Sequence, residues 1–320
     1  MRDTSRDDEA TGAGSTPTLD VVVVICTYRR NDPLRELLAR LCDEASSTTE
    51  ALRVGVAVAD DSPEGDAAPV VAEFADRFEL GARICNPASG NISVARNAGV
   101  ELGLNGSDWL CFVDDDCLPD LGWFAHLFGI QRRTGADLVT GPIHDIAPPG
   151  APRWLVEEPF LNLIAEYEDG TEPEFGTTAN VLIRAAWLRD HPDVRFRPEL
   201  GTLGGEDMEF FRAARRAGIV HRYSLDAVVC ERVPPARTTL RYQLRNKFWF
   251  GNTIYVTNAE AGTNPNRLLL RGLRQIVDSV LRPLRRAVAR ESLQWRWALA
   301  GTLQGVGTVI GRFGVRVDHH

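Results

Sequence analysis

Three aspartates, Asp114 to Asp116, stand directly behind the apolar run DWLCFV and directly ahead of CLPD. Like carboxylates held this close raise one another's pKa unless a cation neutralises them. A hard divalent ion such as Mg²⁺ or Mn²⁺ takes carboxylate oxygens and commonly a substrate diphosphate as well. A solvated turn is the competing reading, because Asp is also an ordinary turn residue. Two more acid pairs stand at comparable places: Asp60-Asp61 in VAVADDSPEG and Glu206-Asp207 in GGEDMEFFRAARRAG.

The elements around these acids decide between the readings. VVVVIC, from Val21, is a continuous β-branched run and predicts a strand buried on both faces. LRELLARL carries leucines at helical spacing. RVGVAVADD, ARICNP and DWLCFVDDD predict further strands, separated by the helices PVVAEFADRF and NISVARNAGVELGL. This alternation over residues 21–118 predicts a parallel, doubly wound α/β sheet. In such sheets function gathers at the carboxyl ends of the strands. Thr27-Tyr28, Asp60-Asp61 and Asp114 to Asp116 all fall at strand ends, so three strands turn polar at one edge.

The second half is less regular. ADLVTGPIHD predicts a strand, TTANVLIRAAWL a strand running into a helix, and DAVVCERVPPAR a last strand stopped by prolines. Residues 147–169 are rich in prolines and acids and suggest a mobile flap. His126, His144, His191 and His221 have no metal-ligand spacing.

VVVVICTYRRNDPL, VAVADDSPEG, NISVARNAGVELG, CFVDDDCLPD and GGEDMEFFRAARRAG together resemble the family-2 glycosyltransferases, in the family's order, from about residue 21 to 257. The resemblance implies an α/β fold: a GT-A-like single Rossmann-type domain with a mostly parallel central sheet, plus C-terminal amphipathic helices. It implies inverting, metal-dependent transfer from a nucleoside-diphosphate sugar, with UDP the commonest carrier, to an acceptor hydroxyl. Thr27, Tyr28, Arg29 and Asp61, with Asp60 beside it, would hold base and ribose. Arg96 would fix Asp61 or the donor phosphates, with a structural ion pair as the alternative. Asp114 and Asp115 would face ribose and sugar, and Asp116 would ligate Mg²⁺ or Mn²⁺. Asp207 would be the general base, with Glu206 orienting it or touching the acceptor, and N-cap duty is the competing role. Many relatives carry His where this chain has Glu231. Glu231 is therefore a metal-ligand candidate, and pairing with a local arginine is the alternative. In RYQLRNKFWFG, Arg245 or Lys247 would meet the diphosphate, against an ordinary amphipathic helix.

The resemblance and patterning suggest a polar lead over 1–18, a catalytic domain over 19–257 whose donor half ends near 118, and a helical region over 258–320. The lead lacks the apolar core of a secretory signal and is expected to be disordered. Six cysteines without a CxxC pair suit free thiols in a reducing cytoplasm. The net charge of -8 argues against nucleic acid as a partner. From Arg232 onward, however, 15 basic residues face 4 acidic ones, while residues 1–231 carry 21 basic and 40 acidic. The basic part includes NRLLLRGLRQIVDSVLRPLRRAVAR, with Leu269, Leu273, Ile276, Val280 and Leu284 on one helical face and Arg271, Arg274, Arg282 and Arg285 on another. With Trp295, Trp297 and the charge-free run after them, it suits either peripheral contact with the inner face of a membrane or packing on protein, including a homodimer. Two other functions compete with transfer. A sugar-phosphate nucleotidyltransferase would need a glycine-rich loop after the first strand, where TYRR stands. A non-catalytic membrane scaffold would have no use for both Asp116 and Asp207.

Overall fold

Strand and helix alternate from the first described element: β1 (Leu19–Thr27), α1 (Asn31–Ser47), β2 (Leu52–Asp60), α2 (Ala68–Ala72), β3 (Ala82–Cys85), α3 (Ile92–Leu104) and β4 (Trp109–Val113). A computed structural model describes residues 17–317. The expected disordered lead therefore falls outside the described residues except at positions 17 and 18. β1 explains its own composition. Val21, Val23 and Ile25 join one core with Leu34, Leu37, Leu38 and Leu41 of α1. Val22 and Val24 join another with Val100 and Leu104 of α3. A strand covered on both faces has no polar side to show.

The chain continues through β5 (Cys117–Pro119), α4 (Trp123–Thr134), β6 (Leu138–Thr140), β7 (Ile143–Ile146), α5 (Arg153–Glu157), β8 (Asn180–Arg184), α6 (Ala185–Asp190), α7 (Glu206–Arg216), β9 (His221–Tyr223) and β10 (Val229–Arg232). Seven strands form the central sheet in the order β3-β2-β1-β4-β8-β6-β9. β3, β2, β1 and β4 are parallel throughout, and β8 runs antiparallel between β4 and β6. The expected mostly parallel sheet is borne out. A second sheet, β5-β10-β7, was not legible. β10 and β7 lie within the strands expected over DAVVCERVPPAR and ADLVTGPIHD, but at three or four residues each the strands carry no periodicity that marks them as a separate sheet. ADLVTGPIHD breaks at Gly141-Pro142 and serves both sheets.

Three helices close the chain: α8 (Leu240–Glu260), α9 (Pro265–Val288) and α10 (Trp295–Gly311). The expected domain boundary at 257 falls inside α8, because that helix belongs to both parts. Its Trp249 Nε1 and Thr253 Oγ1 donate to the Leu203 carbonyl, 3.0 and 3.1 Å away, on the catalytic side. On its other side it receives α10 at backbone distance, where a Cβ on Gly307 would come within 2.0 Å of the Phe248 carbonyl oxygen. α10 thus lies between α8 and α9, which accounts for its charge-free run from Trp297 to Gly311. No helix among the described residues is long and apolar enough to cross a membrane.

Residues 147–169, expected to be a flap, are fastened at their middle. The buried Glu158 accepts from the backbone N–H of Trp297, 2.7 Å away, and from Arg296 Nη1, 3.0 Å away, at the start of α10. Phe160 packs edge-on against both Trp154 and Trp297.

The α8–α10 contact is directly testable. Gly307→Ala places a methyl against a backbone carbonyl that cannot rotate away. It should cost about 2 kcal/mol or more of stability, seen as a lower urea midpoint. An unchanged midpoint would contradict this packing.

Candidate active site

The parallel strands β1, β2 and β4 end side by side, and the crevice beyond their carboxyl ends collects the acids. At the end of β4 the chain turns at once, with the Cys117 N–H donating to the Asp114 carbonyl at 3.0 Å. The turn fans three carboxylates into different surroundings. The Asp114 side chain is 38% exposed, Asp116 13% and Asp115 5%. Asp114 is the one open to an incoming molecule. Asp115 is sealed in by the Thr27 hydroxyl, which donates to it at 2.8 Å.

Two arginines hold this triplet. Arg30 Nη1 donates to Asp115 Oδ1 at 2.9 Å and to Asp116 Oδ2 at 2.6 Å. Arg96, buried on α3, donates to Glu206 and lies 3.6 Å from Asp114 Oδ1, with its guanidinium 5.6 Å from the centre of the Phe196 ring. Arg96 therefore takes the structural ion pair and does not reach Asp61. It joins the end of β4 to the start of α7, which brings the triplet and the Glu206-Asp207 pair into one site. Gly204 and Gly205 enter α7 with φ near +85°, and a Cβ on Gly205 would meet the Thr257 methyl at 2.5 Å. Only glycine suits that approach, so these two residues set where α7 begins.

Burial and like charge shift the acids upward. Burial, with the negative charge of Glu206 added, pushes the Asp207 carboxyl up to about 7. Asp207 accepts from the Met208 N–H at 2.7 Å. Burial lifts Asp115 to about 6 against the pull of Arg30, and raises Asp114 as well. On β10, burial and the charges of Asp116 and Asp145 push Glu231 up to about 7. Glu231 also meets Arg237 at 3.1 Å, the local arginine that the sequence offered as its alternative partner.

The second acid pair has other work. Asp60 is fully buried, and its carboxylate accepts from the Ser62 and Ala67 backbone N–H groups, each 3.0 Å away. Asp61 accepts from the Ser89 N–H at 2.7 Å, the Ser89 hydroxyl at 2.8 Å and the Asn91 N–H at 2.8 Å. It thereby fixes the loop that delivers Asn91 as N-cap of α3, and with α3 Arg96. Tyr28 stands open at 47% exposure, with the Arg29 guanidinium 5.3 Å from its ring centre. Arg29 adopts a left-handed backbone, φ 54°, and pairs outward with Glu64. The kink sends Arg29 out and Arg30 in, so Arg30, which the motif did not single out, is the arginine that meets the triplet.

Arg245 is exposed one turn before Trp249, on the face of α8 that meets Leu203. Lys247 lies about 200° around the helix from Trp249. It is buried with its amine 4.7 Å from the centre of the Trp297 ring, and burial pushes its pKa down to about 8. Its side chain faces α10, away from the acids, so the expected diphosphate contact does not follow from its position. A cavity of about 600 Å³ opens beside Asp115 and Asp116, walled by Arg30, Pro33, Leu118, Pro148 and Pro234. Neither Asp207 nor Arg96 lines it.

No three His, Cys, Asp or Glu side chains among the described residues converge as a cage for a metal ion. Mg²⁺ ordinarily needs no such cage, since one or two carboxylates with substrate phosphates and water complete its shell. Asp116 and Glu231 offer hard oxygen donors of that number.

The pattern described as glycosyl transferase family 2 matches residues 22–191. Over 238 residues the chain is 34% identical to the succinoglycan biosynthesis protein ExoM of Rhizobium meliloti (strain 1021), with 74% of each chain covered. The structure of S. aureus TarS 1-349 in complex with UDP superposes with a TM-score of 0.51 at 17% identity, covering 93% of this chain and 92% of that one. TarS 1-349 in complex with UDP-GlcNAc gives 0.53 at 14% identity, covering 90% and 92%. The TarS structures share the fold, a mixed α/β sheet followed by helices. The family pattern and the ExoM match establish that the chain belongs to glycosyl transferase family 2 and is a glycosyltransferase.

Proposed function

We propose that the enzyme moves a sugar from a nucleoside-diphosphate sugar to an acceptor hydroxyl with inversion at the anomeric carbon. The observation that carries this reading is the placement of Asp207: a carboxyl at the start of α7, joined to the β4 acids through its neighbour Glu206 and Arg96. In the reaction the acceptor oxygen attacks the anomeric carbon as Asp207 takes its proton, and the bond to the diphosphate oxygen breaks. One base and a single displacement invert the centre. Glu206, held by Arg96, positions its neighbour. Asp114, the open member of the triplet, faces the sugar and ribose, and Tyr28 offers its exposed ring to the base. Arg245 is the cation on the site-facing side of α8 that suits the leaving diphosphate.

Asp116, with Glu231 as second carboxylate once it loses its proton, would hold Mg²⁺ or Mn²⁺. Such an ion supplies charge stabilisation to the leaving diphosphate. The UDP and UDP-GlcNAc complexes of TarS support a uridine carrier. The role of ExoM in succinoglycan biosynthesis supports a growing polysaccharide as acceptor.

Asp207→Asn should lower UDP release from a panel of UDP-sugars, with water as acceptor, by about 10²- to 10⁴-fold. A variant with the wild-type rate would remove Asp207 as the base. In the wild type, kcat/KM should climb about tenfold per pH unit below about 7 and level off above it, because the working form is the carboxylate. A flat profile over that range would contradict the assignment.

Stability should show the same group with the opposite sign. A carboxyl whose folded pKa is raised to about 7 favours the folded state while it keeps its proton. That contribution is complete below the unfolded value and is lost as pH rises through about 7. Without metal, Asp207→Asn should therefore raise the urea midpoint at pH 8 and change it little at pH 4. Equal effects at both pH values would argue against a strained carboxylate.

A further inference from the structure

α9 rests on α10 through a narrow inner face, where Leu268, Gly272 and Ser279 are buried. Its outer face is uncovered. Leu270, Leu273, Val277, Val280, Leu284 and Val288 follow one another at steps of three and four residues, and each is between 44% and 80% exposed. That spacing lines them along one side of the helix. Arg267, Arg271, Arg274 and Arg282 flank the stripe and line a groove of about 570 Å³ shared with α10. None of these four makes an ion pair or side-chain hydrogen bond among the described residues. Asp278 also borders the groove and is paired with Arg285.

An apolar stripe with unpaired cations along its edge has two needs: cover from water and anionic partners. A second copy meeting the same stripe about a twofold axis would supply the first and defeat the second, by bringing two rows of arginines together. An anionic bilayer supplies both. We infer that α9 docks the protein on an anionic lipid bilayer surface, its stripe among the upper acyl chains and its arginines against lipid phosphates. α9 lies along the surface and does not span it. α10, whose sequence is the more apolar, is the spacer that joins α9 to α8. This inference stands apart from the transfer reaction and does not depend on the donor.

Cosedimentation of the full chain with lipid vesicles tests it. Binding should be weak on phosphatidylcholine alone, strong with about one-third phosphatidylglycerol, and should fall steeply with salt. Leu273→Glu/Val280→Glu should abolish binding, and Arg271→Ala/Arg274→Ala should weaken it roughly tenfold or more. All four positions are exposed, so both variants should melt as the wild type does. Leu284→Glu alone, farther along the stripe, checks the first variant should it melt early. No binding to the mixed vesicles would overturn the inference. So would binding that the glutamates leave unchanged, or a dimer in sedimentation velocity that the same glutamates dissolve.

Discussion

Six carboxyl groups gather around the turn after β4, Asp114, Asp115, Asp116, Glu206, Asp207 and Glu231, and the arginines that pair with members of the group are three, Arg30, Arg96 and Arg237. Much of this architecture follows from that imbalance. The arginines are spent where they also tie elements together. Arg96 joins α3 to the end of β4 and the start of α7, and Arg30 brings the turn after β1 onto the triplet. The acids left with least compensation answer by holding protons more tightly, Asp207 and Glu231 most clearly. A carboxyl that keeps its proton to near neutrality is thus a by-product of a site short of positive charge. The same shortage leaves room for the cation that a diphosphate donor would bring.

The acids of the site divide by burial. Asp60 and Asp61 spend their oxygens on backbone N–H groups and shape the loops that carry Arg96 into place. Asp114 and Asp207 keep access to the crevice. Type and spacing reveal that acids gather at strand ends, because a parallel sheet forces those ends together. They do not reveal which acids are spent on the backbone, since that depends on loops closing over residues far apart in the chain. The inward arginine was hidden for a related reason. Arg29 and Arg30 are chemically alike, and a single left-handed residue decides which faces the triplet.

The long elements were legible because their periodicities are long: the β-branched run of β1, the leucines of α1, the helix that starts at Glu206. The three-stranded second sheet was not, although it carries Glu231 beside the triplet. The tail was read as amphipathic with an apolar face, but which of its apolar sides would be covered was not legible. α8, α9 and α10 pack at glycines close enough for backbone contact, and this closeness decides that α10 is covered and the outer side of α9 is open. Glu158 then links these helices to the 147–169 segment, whose prolines wall the cavity beside Asp116.

In the proposed reaction a divalent ion arriving with the donor diphosphate would make good the shortage of positive charge around the triplet. Thermal unfolding with UDP, in the presence of Mn²⁺ and in the presence of EDTA, tests it most directly, since a ligand that binds only the folded state raises the melting temperature. The account predicts a rise with UDP and Mn²⁺ together, little or none with UDP and EDTA, and loss of the metal-dependent part in Asp116→Ala. An equal rise with EDTA, or one that Asp116→Ala leaves intact, would contradict it.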